Sequence, residues 1–208
     1  MEPKVLSERT EWPARAPGDT HGDDHLPRRR RRAVWLVGLE WAILIGGALI
    51  AALLIKAFLF QAFYIPSESM SPTLEVHDRV LVSKLSYRMH PVHRGDIIVF
   101  KAPPNVDPSV KDLVKRVISL PGETIAARTD GHVYINGKVL NEPWLPEGVR
   151  TEPGFAPIKI PPDSYYVLGD NRPNSRDSRY FPTHFVQKKD IIGRVFLRIW
   201  PLSRIDIL

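Results

Sequence analysis

Asp112–Leu120 reads DLVKRVISL, and the way this stretch is read decides the fold. Its core is β-branched and aliphatic, and Pro121-Gly122 closes it after nine residues, which suits a strand better than a helix. On strict strand alternation Lys115 shares a face with Leu113 and Val117, while Arg116 shares one with Val114 and Ile118. Both basic side chains have apolar neighbours, so the pattern does not say which points inward.

The same signature recurs on both sides. DRVLVSKL (78–85), DIIVF (96–100), SYYVLGD (164–170) and IIGRVFLRIW (191–200) are short β-branched runs, and Gly95 punctuates the approach to the second. HVYINGKVL (132–140) carries Asn136-Gly137 between apolar halves, the residue pair that a type I′ hairpin demands. Nothing in 65–208 has the periodicity of a long amphipathic helix, and the 20 prolines favour loops and sheet edges. These residues predict a mainly β domain.

Ahead of it lies VWLVGLEWAILIGGALIAALLI (34–55), with Glu40 as its one charge. As a helix it would extend roughly 33 Å, enough for a hydrocarbon layer of about 30 Å. Arg28–Arg32 precede it directly, which by the positive-inside rule keeps the N-terminus cytoplasmic and the rest of the chain outside. A cleaved signal peptide shares the basic and apolar parts, but this run is long for one and no A-x-A site closes it. Lys56 sits at the outer end, and Phe58, Phe60, Phe63 and Tyr64 read as an aromatic belt at the membrane exit. Residues 1–32 are polar and aperiodic, as in a disordered tail; the HGDDH motif at 21–25 reads there as a solvated acidic segment rather than a metal site. The expected organisation is a cytoplasmic tail over 1–33, a single transmembrane helix over 34–57 and an extracytoplasmic domain over 58–208.

Charge and cysteine content narrow the function. The net charge of +6 comes mostly from the arginine run, because residues 1–27 carry three basic against six acidic side chains. Basicity gathered at one point beside an apolar span argues against a nucleic-acid footprint. With no cysteine, disulfides, thiolate metal sites and a cysteine nucleophile are excluded.

Three stretches can carry chemistry. YIPSESMSPTL (64–74) holds three serines framed by Pro66 and Pro72; if it is extended, Ser67 and Ser69 share one face and Glu68 takes the other. Loop serines making local turn bonds would look the same. No G-x-S-x-G elbow and no Ser-x-x-Lys is present, and none of the five histidines after the span stands in a distinctive context. Lys115 is the alternative base, since arginine cannot give up its proton and burial could bring a lysine into range. An edge-strand lysine reaching solvent is the plain reading of the same residue. LGDNRPNSRDSRY (168–180) is dense in paired charges and amides, with Asp177 and Arg179 spaced for an ion pair.

In order along the chain, IPSESMSPTL, DRVLVSK, RGDIIVF, VKRVISLPGE, YINGK and GDNRPNSRDSR resemble the type I signal peptidases, membrane-bound Ser/Lys proteases. The resemblance runs from about residue 34 to the C-terminus. It implies an antiparallel coiled β-sheet catalytic domain behind one transmembrane helix. It further implies Ser69 as nucleophile, Lys115 as general base, and Ser67 with the Ser69 backbone N–H as oxyanion hole. Ser175 would orient the Lys115 amine, with Asp177 and Arg179 bracing it, and Ile65, Met70 and Val114 would line the substrate pocket. The expected reaction is cleavage of signal peptides from exported pre-proteins after Ala-x-Ala sites, with no metal or organic cofactor. The partners implied are those pre-proteins, the lipid bilayer of the plasma membrane and the secretion translocon, with no nucleic acid. Trp144 or Trp200 would help the domain rest on the bilayer.

Four positions depart from the family pattern: His77 where glycine is common, Ser119 and Glu123 after the lysine strand, and Pro182 after the last motif. They touch local turns and not the dyad. Two other readings compete. A Ser/Lys repressor-type self-cleaving protease shares the dyad, but it would bring a helix-turn-helix in place of a membrane span. A silent membrane-tethered β binding module would be expected to have lost Ser69 or Lys115.

Overall fold

The computed structural model describes residues 28–208 apart from 105 and 107–109, so the expected tail over 1–27 and its HGDDH motif lie outside the described residues. Helix α1 runs Arg28–Phe58, and within it Trp35–Leu53 is long and apolar enough to cross a membrane, with mean hydropathy 2.1 and none of its side chains buried. The arginine run is therefore helical backbone, continuous with the apolar span. The chain divides inside this helix into two compact units, Met1–Ala48 and Leu49–Leu208.

Among the described residues the second unit has twelve strands: β1 Phe60–Tyr64, β2 Arg79–Ser83, β3 Ile97–Lys101, β4 Asp112–Ser119, β5 Thr124–Ala127, β6 Val133–Ile135, β7 Lys138–Val139, β8 Phe155–Lys159, β9 Ser164–Leu168, β10 Val186–Gln187, β11 Ile191–Trp200 and β12 Asp206–Ile207. One short helix, α2 Ser86–Met89, follows β2. Every pairing is antiparallel. The larger sheet has the order β1-β2-β11-β3-β4-β9-β10 with β12 added on β11, and the smaller one β7-β6-β5-β8. This is the mainly β, antiparallel fold the sequence predicts. Phe60, Phe63 and Tyr64 belong to β1, a strand the sequence reading did not place, which pairs along its whole length with β2.

Two turns form as their residues dictate. Asn136 and Gly137 both take positive φ, 50° and 81°, and join β6 to β7 as a type I′ turn does. Leu120–Glu123 closes with the Glu123 N–H donating to the Leu120 carbonyl at 3.2 Å, and Gly122 takes φ 83° after Pro121, the arrangement of a type II turn. That turn carries the chain from β4 in the large sheet to β5 in the small one.

Three apolar clusters hold the layers. Ile118, Ile125, Val133, Tyr166 and Leu168 are drawn from both sheets and join them. Ile98, Phe100, Val117, Val167 and Phe181 pack at the β10 end of the large sheet. Ile65, Met70, Leu74, Val80, Val99 and Val195 pack beneath the segment that follows β1. Strand β4 contributes to all of them, which makes it the spine on which a site can be built.

Candidate active site

Lys115 and Arg116 are adjacent on β4 and both are buried, at 2% and 7% exposure. Alternation sends them to opposite faces, and each face supplies a partner. The Lys115 amine lies 2.7 Å from the Ser69 hydroxyl and donates to the Val114 carbonyl at 2.9 Å. The Arg116 guanidinium forks onto Asp170 at 2.9 and 2.6 Å and donates to the Gly95 carbonyl at 2.8 Å. The choice left open by the sequence pattern resolves as both inward.

Burial lowers the Lys115 amine from 10.5 to about 8, because an ammonium loses its hydration there; Asp177 and Asp170 pull the other way and moderate the fall. An amine near 8 is neutral in roughly a tenth of molecules at pH 7, against a few in ten thousand for an ordinary lysine. A neutral amine 2.7 Å from a hydroxyl can remove its proton.

The segment that carries Ser67 and Ser69 differs from the extended reading. Glu68–Met70 is one turn of 3-10 helix behind Ser67, whose own backbone is extended at φ −133° and ψ 157°. The two serines still converge, with Oγ atoms 3.3 Å apart. Ser69 stands in the first turn, where a backbone N–H has no intrahelical acceptor, so that donor and the Ser67 hydroxyl are both available to a developing oxyanion.

A cavity of about 650 Å³ opens beside the pair, lined among others by Phe63, Ile65, Ser67, Met70, Val99 and Val114. The three expected pocket residues, Ile65, Met70 and Val114, therefore stand together against the serines. A larger recess of about 930 Å³, lined by Pro161, Ser164, Phe185 and Lys189 among others, lies beside β9 and β10 and contains neither Ser69 nor Lys115.

The loop after β9 is cross-braced by hydrogen bonds, as its residue types suggest. Asp177 is fully buried; it accepts from the Gly169 N–H at 3.0 Å and from Arg179 at 2.8 and 2.9 Å. Arg179 also donates to the carbonyls of Glu152 and Arg172, at 2.6 and 2.7 Å. Ser175 is a correction: its hydroxyl is buried but makes no hydrogen bond, so the expected contact with Lys115 is not formed. Gly169 packs so closely that a Cβ there would overlap the Ser175 side chain and the Ser69 carbonyl.

A family model described as "Signal peptidase, peptidase S26" matches residues 38–200. The chain belongs to the signal peptidase family. It is 47% identical over 170 residues to "Signal peptidase I" of Leptolyngbya laminosa, covering 79% of this chain and 80% of that one. It is 42% identical to "Probable signal peptidase I-2" of a Synechocystis strain, covering 77% and 72%. A crystal structure of a signal peptidase I from Enterococcus faecalis aligns over 50% of this chain and 97% of its own, with 34% identity and TM-score 0.42. Family membership makes the chain a hydrolase of the signal-peptide-processing class.

Within that signal peptidase frame the departures acquire local explanations. His77 occupies the left-handed region at φ 75°, where glycine is unstrained, and its ring nitrogen pairs with the Tyr64 hydroxyl. Ser119 and Glu123 are partners: the Glu123 carboxylate accepts from the Ser119 hydroxyl at 3.1 Å, from the Leu120 N–H at 2.7 Å and from Arg94 at 2.5 Å. Pro182 is exposed beyond buried Phe181, away from the dyad. Trp144 is corrected as a membrane contact, since it packs into the inter-sheet cluster beneath the Arg116 guanidinium. Trp200 is half-exposed, next to exposed Leu202 and Ile205.

Sequence reasoning missed the ion pairs whose partners are far apart in the chain. Arg172, 1% exposed, forks onto Glu142 at 2.5 and 3.2 Å, bonds the Thr151 hydroxyl, and donates to the Gly169 carbonyl at 3.1 Å. Asp170 accepts from the Thr73 hydroxyl at 2.6 Å besides holding Arg116. The density of charge in 168–180 flagged the loop, but residue types alone did not pair it.

Proposed function

We propose that this chain is a Ser/Lys endopeptidase that removes signal peptides from exported pre-proteins after Ala-x-Ala sites. The observation that carries the reading is the 2.7 Å contact between a buried lysine amine and a serine hydroxyl at the edge of an apolar cavity. Neutral Lys115 takes the Ser69 proton as Ser69 attacks the scissile carbonyl. The oxyanion is held by the Ser69 N–H and the Ser67 hydroxyl, and the leaving amine receives its proton from Lys115. Water activated by the same amine then hydrolyses the acyl-enzyme.

Two features support an extended substrate. Strand β4 pairs with β3 over residues 112–116 but with β9 only from Arg116 onward, so its first half has an open edge beside the cavity. A substrate strand can add to that edge, with alternate side chains directed at Ile65, Met70 and Val114.

The organisation we propose is a cytoplasmic tail through residue 33, a membrane anchor over 34–57 and a catalytic domain over 58–208 outside the plasma membrane. Bilayer lipid and the secretion translocon would be its partners, with Trp200 facing the headgroups. The arginine run on the N-terminal side of α1 and the 14 residues from Ile55 to Ser69 support this, because cleavage sites emerge at that face. The chain has no cysteine, so single-cysteine labelling in intact cells tests orientation directly. A cysteine at exposed position 138 should react with an impermeant maleimide, and protection there would overturn the topology.

Incubating the detergent-solubilised chain with a precursor bearing an Ala-x-Ala site tests the activity. A silent membrane-tethered binding module, the rival reading, predicts binding without cleavage.

A further inference from the structure

Glu68, between the two serines, is not explained by the chemistry above, and neither are the asparagines of the 168–180 loop. The Asn171 N–H donates to the Ser69 carbonyl at 3.2 Å, and its side-chain amide donates to the Glu68 carbonyl at 3.1 Å. The Asn174 amide reaches the Glu68 carboxylate at 3.2 Å. Two consecutive carbonyls of the nucleophile turn are thus held by one residue, and the intervening side chain by another.

Asn171 is itself immobilised from both sides. Its neighbour Asp170 is locked to Arg116, and its neighbour Arg172 to Glu142, both as buried forks. Arg116 follows Lys115 on β4. The contacts therefore close a ring: Lys115, Arg116, Asp170, Asn171, Ser69, and back to Lys115 through the 2.7 Å contact.

We propose that Asn171 is a positioning residue that sets the reach of Ser69 toward Lys115, with Asn174 and Glu68 forming an outer latch on the same turn. The inference rests on the Ser69–Lys115 reading of the site. The strand that carries the base also fixes the nucleophile, through Arg116, Asp170 and Asn171. Misplacement of a reacting group by about 1 Å can cost about a hundredfold in rate.

The test is steady-state and burst kinetics of the full-length chain in detergent with an Ala-x-Ala precursor. Asn171→Ala should lower kcat by about 10- to 100-fold with the pH midpoint unmoved and the burst reduced as acylation becomes limiting, while the melting curve stays near that of the parent. Wild-type kcat, or a loss matched by a fall in the folded fraction read from the melting curve, overturns the proposal, since the latter marks only unfolded enzyme. On the exposed latch, Asn174→Asp should slow turnover by like charge against Glu68, and adding Glu68→Lys should restore it; failure of that rescue removes the latch. Ser69→Ala, run alongside, separates the two claims, because cleavage by that variant would defeat the dyad itself.

Discussion

The Lys115 amine and the Ser69 hydroxyl stand 2.7 Å apart, and the lysine is all but sealed from water. The two properties are coupled. Proximity allows the proton to move, and burial makes the neutral amine common enough to receive it. The residues around the pair yield predictions that differ in kind.

Activity should follow the lysine. With the amine at about 8, the neutral base fraction grows as pH rises through that value, so kcat/KM should climb with a midpoint near 8 and level off above it. At pH 6 it should be about a hundredfold below the plateau. A pH–rate profile that is flat from 6 to 9 would contradict this assignment.

Stability should move the opposite way when the lysine is removed. The folded amine titrates at about 8 and the unfolded one near 10.5, so below 8 both states are charged and folding bears the desolvation. That penalty fades as pH rises from 8 to 10.5, because the folded state has already lost its proton. Lys115→Met should therefore be inactive yet more stable by about 3 kcal/mol at pH 7, with the advantage shrinking toward pH 10.5. Thermal melts of both proteins at the two pH values check the sign.

The Arg116–Asp170 fork should behave as a unit. Asp170→Ala leaves a buried guanidinium with no carboxylate, at a cost of about 3–5 kcal/mol. Replacing both residues should cost clearly less than the two single changes summed, as a double-mutant cycle in denaturant would register.

Gly169→Ala isolates sterics from charge. No positive φ is involved, so the methyl group acts only by pressing on the Ser175 side chain and the Ser69 carbonyl. Cleavage should fall at least about a hundredfold through displacement of Ser69. Near-normal turnover would mean that the turn yields freely.

Strands with β-branched runs were legible because two-residue periodicity and closing Pro, Gly or Asn-Gly survive in any context. β4, β6, β7 and β11 all sit where their residues put them. β1 was hidden: it follows an apolar helix directly, and its phenylalanines look the same in a sheet as at a membrane interface. β8 was hidden because Pro157 interrupts FAPIK, which pairs at the edge of the small sheet. At the site, residue types marked out the serines of 67–71, Lys115 and the Asp177–Arg179 pair as candidates, and only the family resemblance singled out Ser69 and Lys115. Residue types could not reveal Glu142 beneath Arg172 or Asp170 beneath Arg116, because those bonds span 30 and 54 positions and depend on how the sheets meet.

The central claim is that Ser69 attacks and Lys115 takes its proton. The most direct measurement is cleavage of an Ala-x-Ala precursor by the wild-type chain, Ser69→Ala and Lys115→Ala under one set of conditions. The account predicts a processed product from wild type and none from either variant, with both variants folded by their melting curves. Equal processing by all three, or none by the wild type, would contradict it.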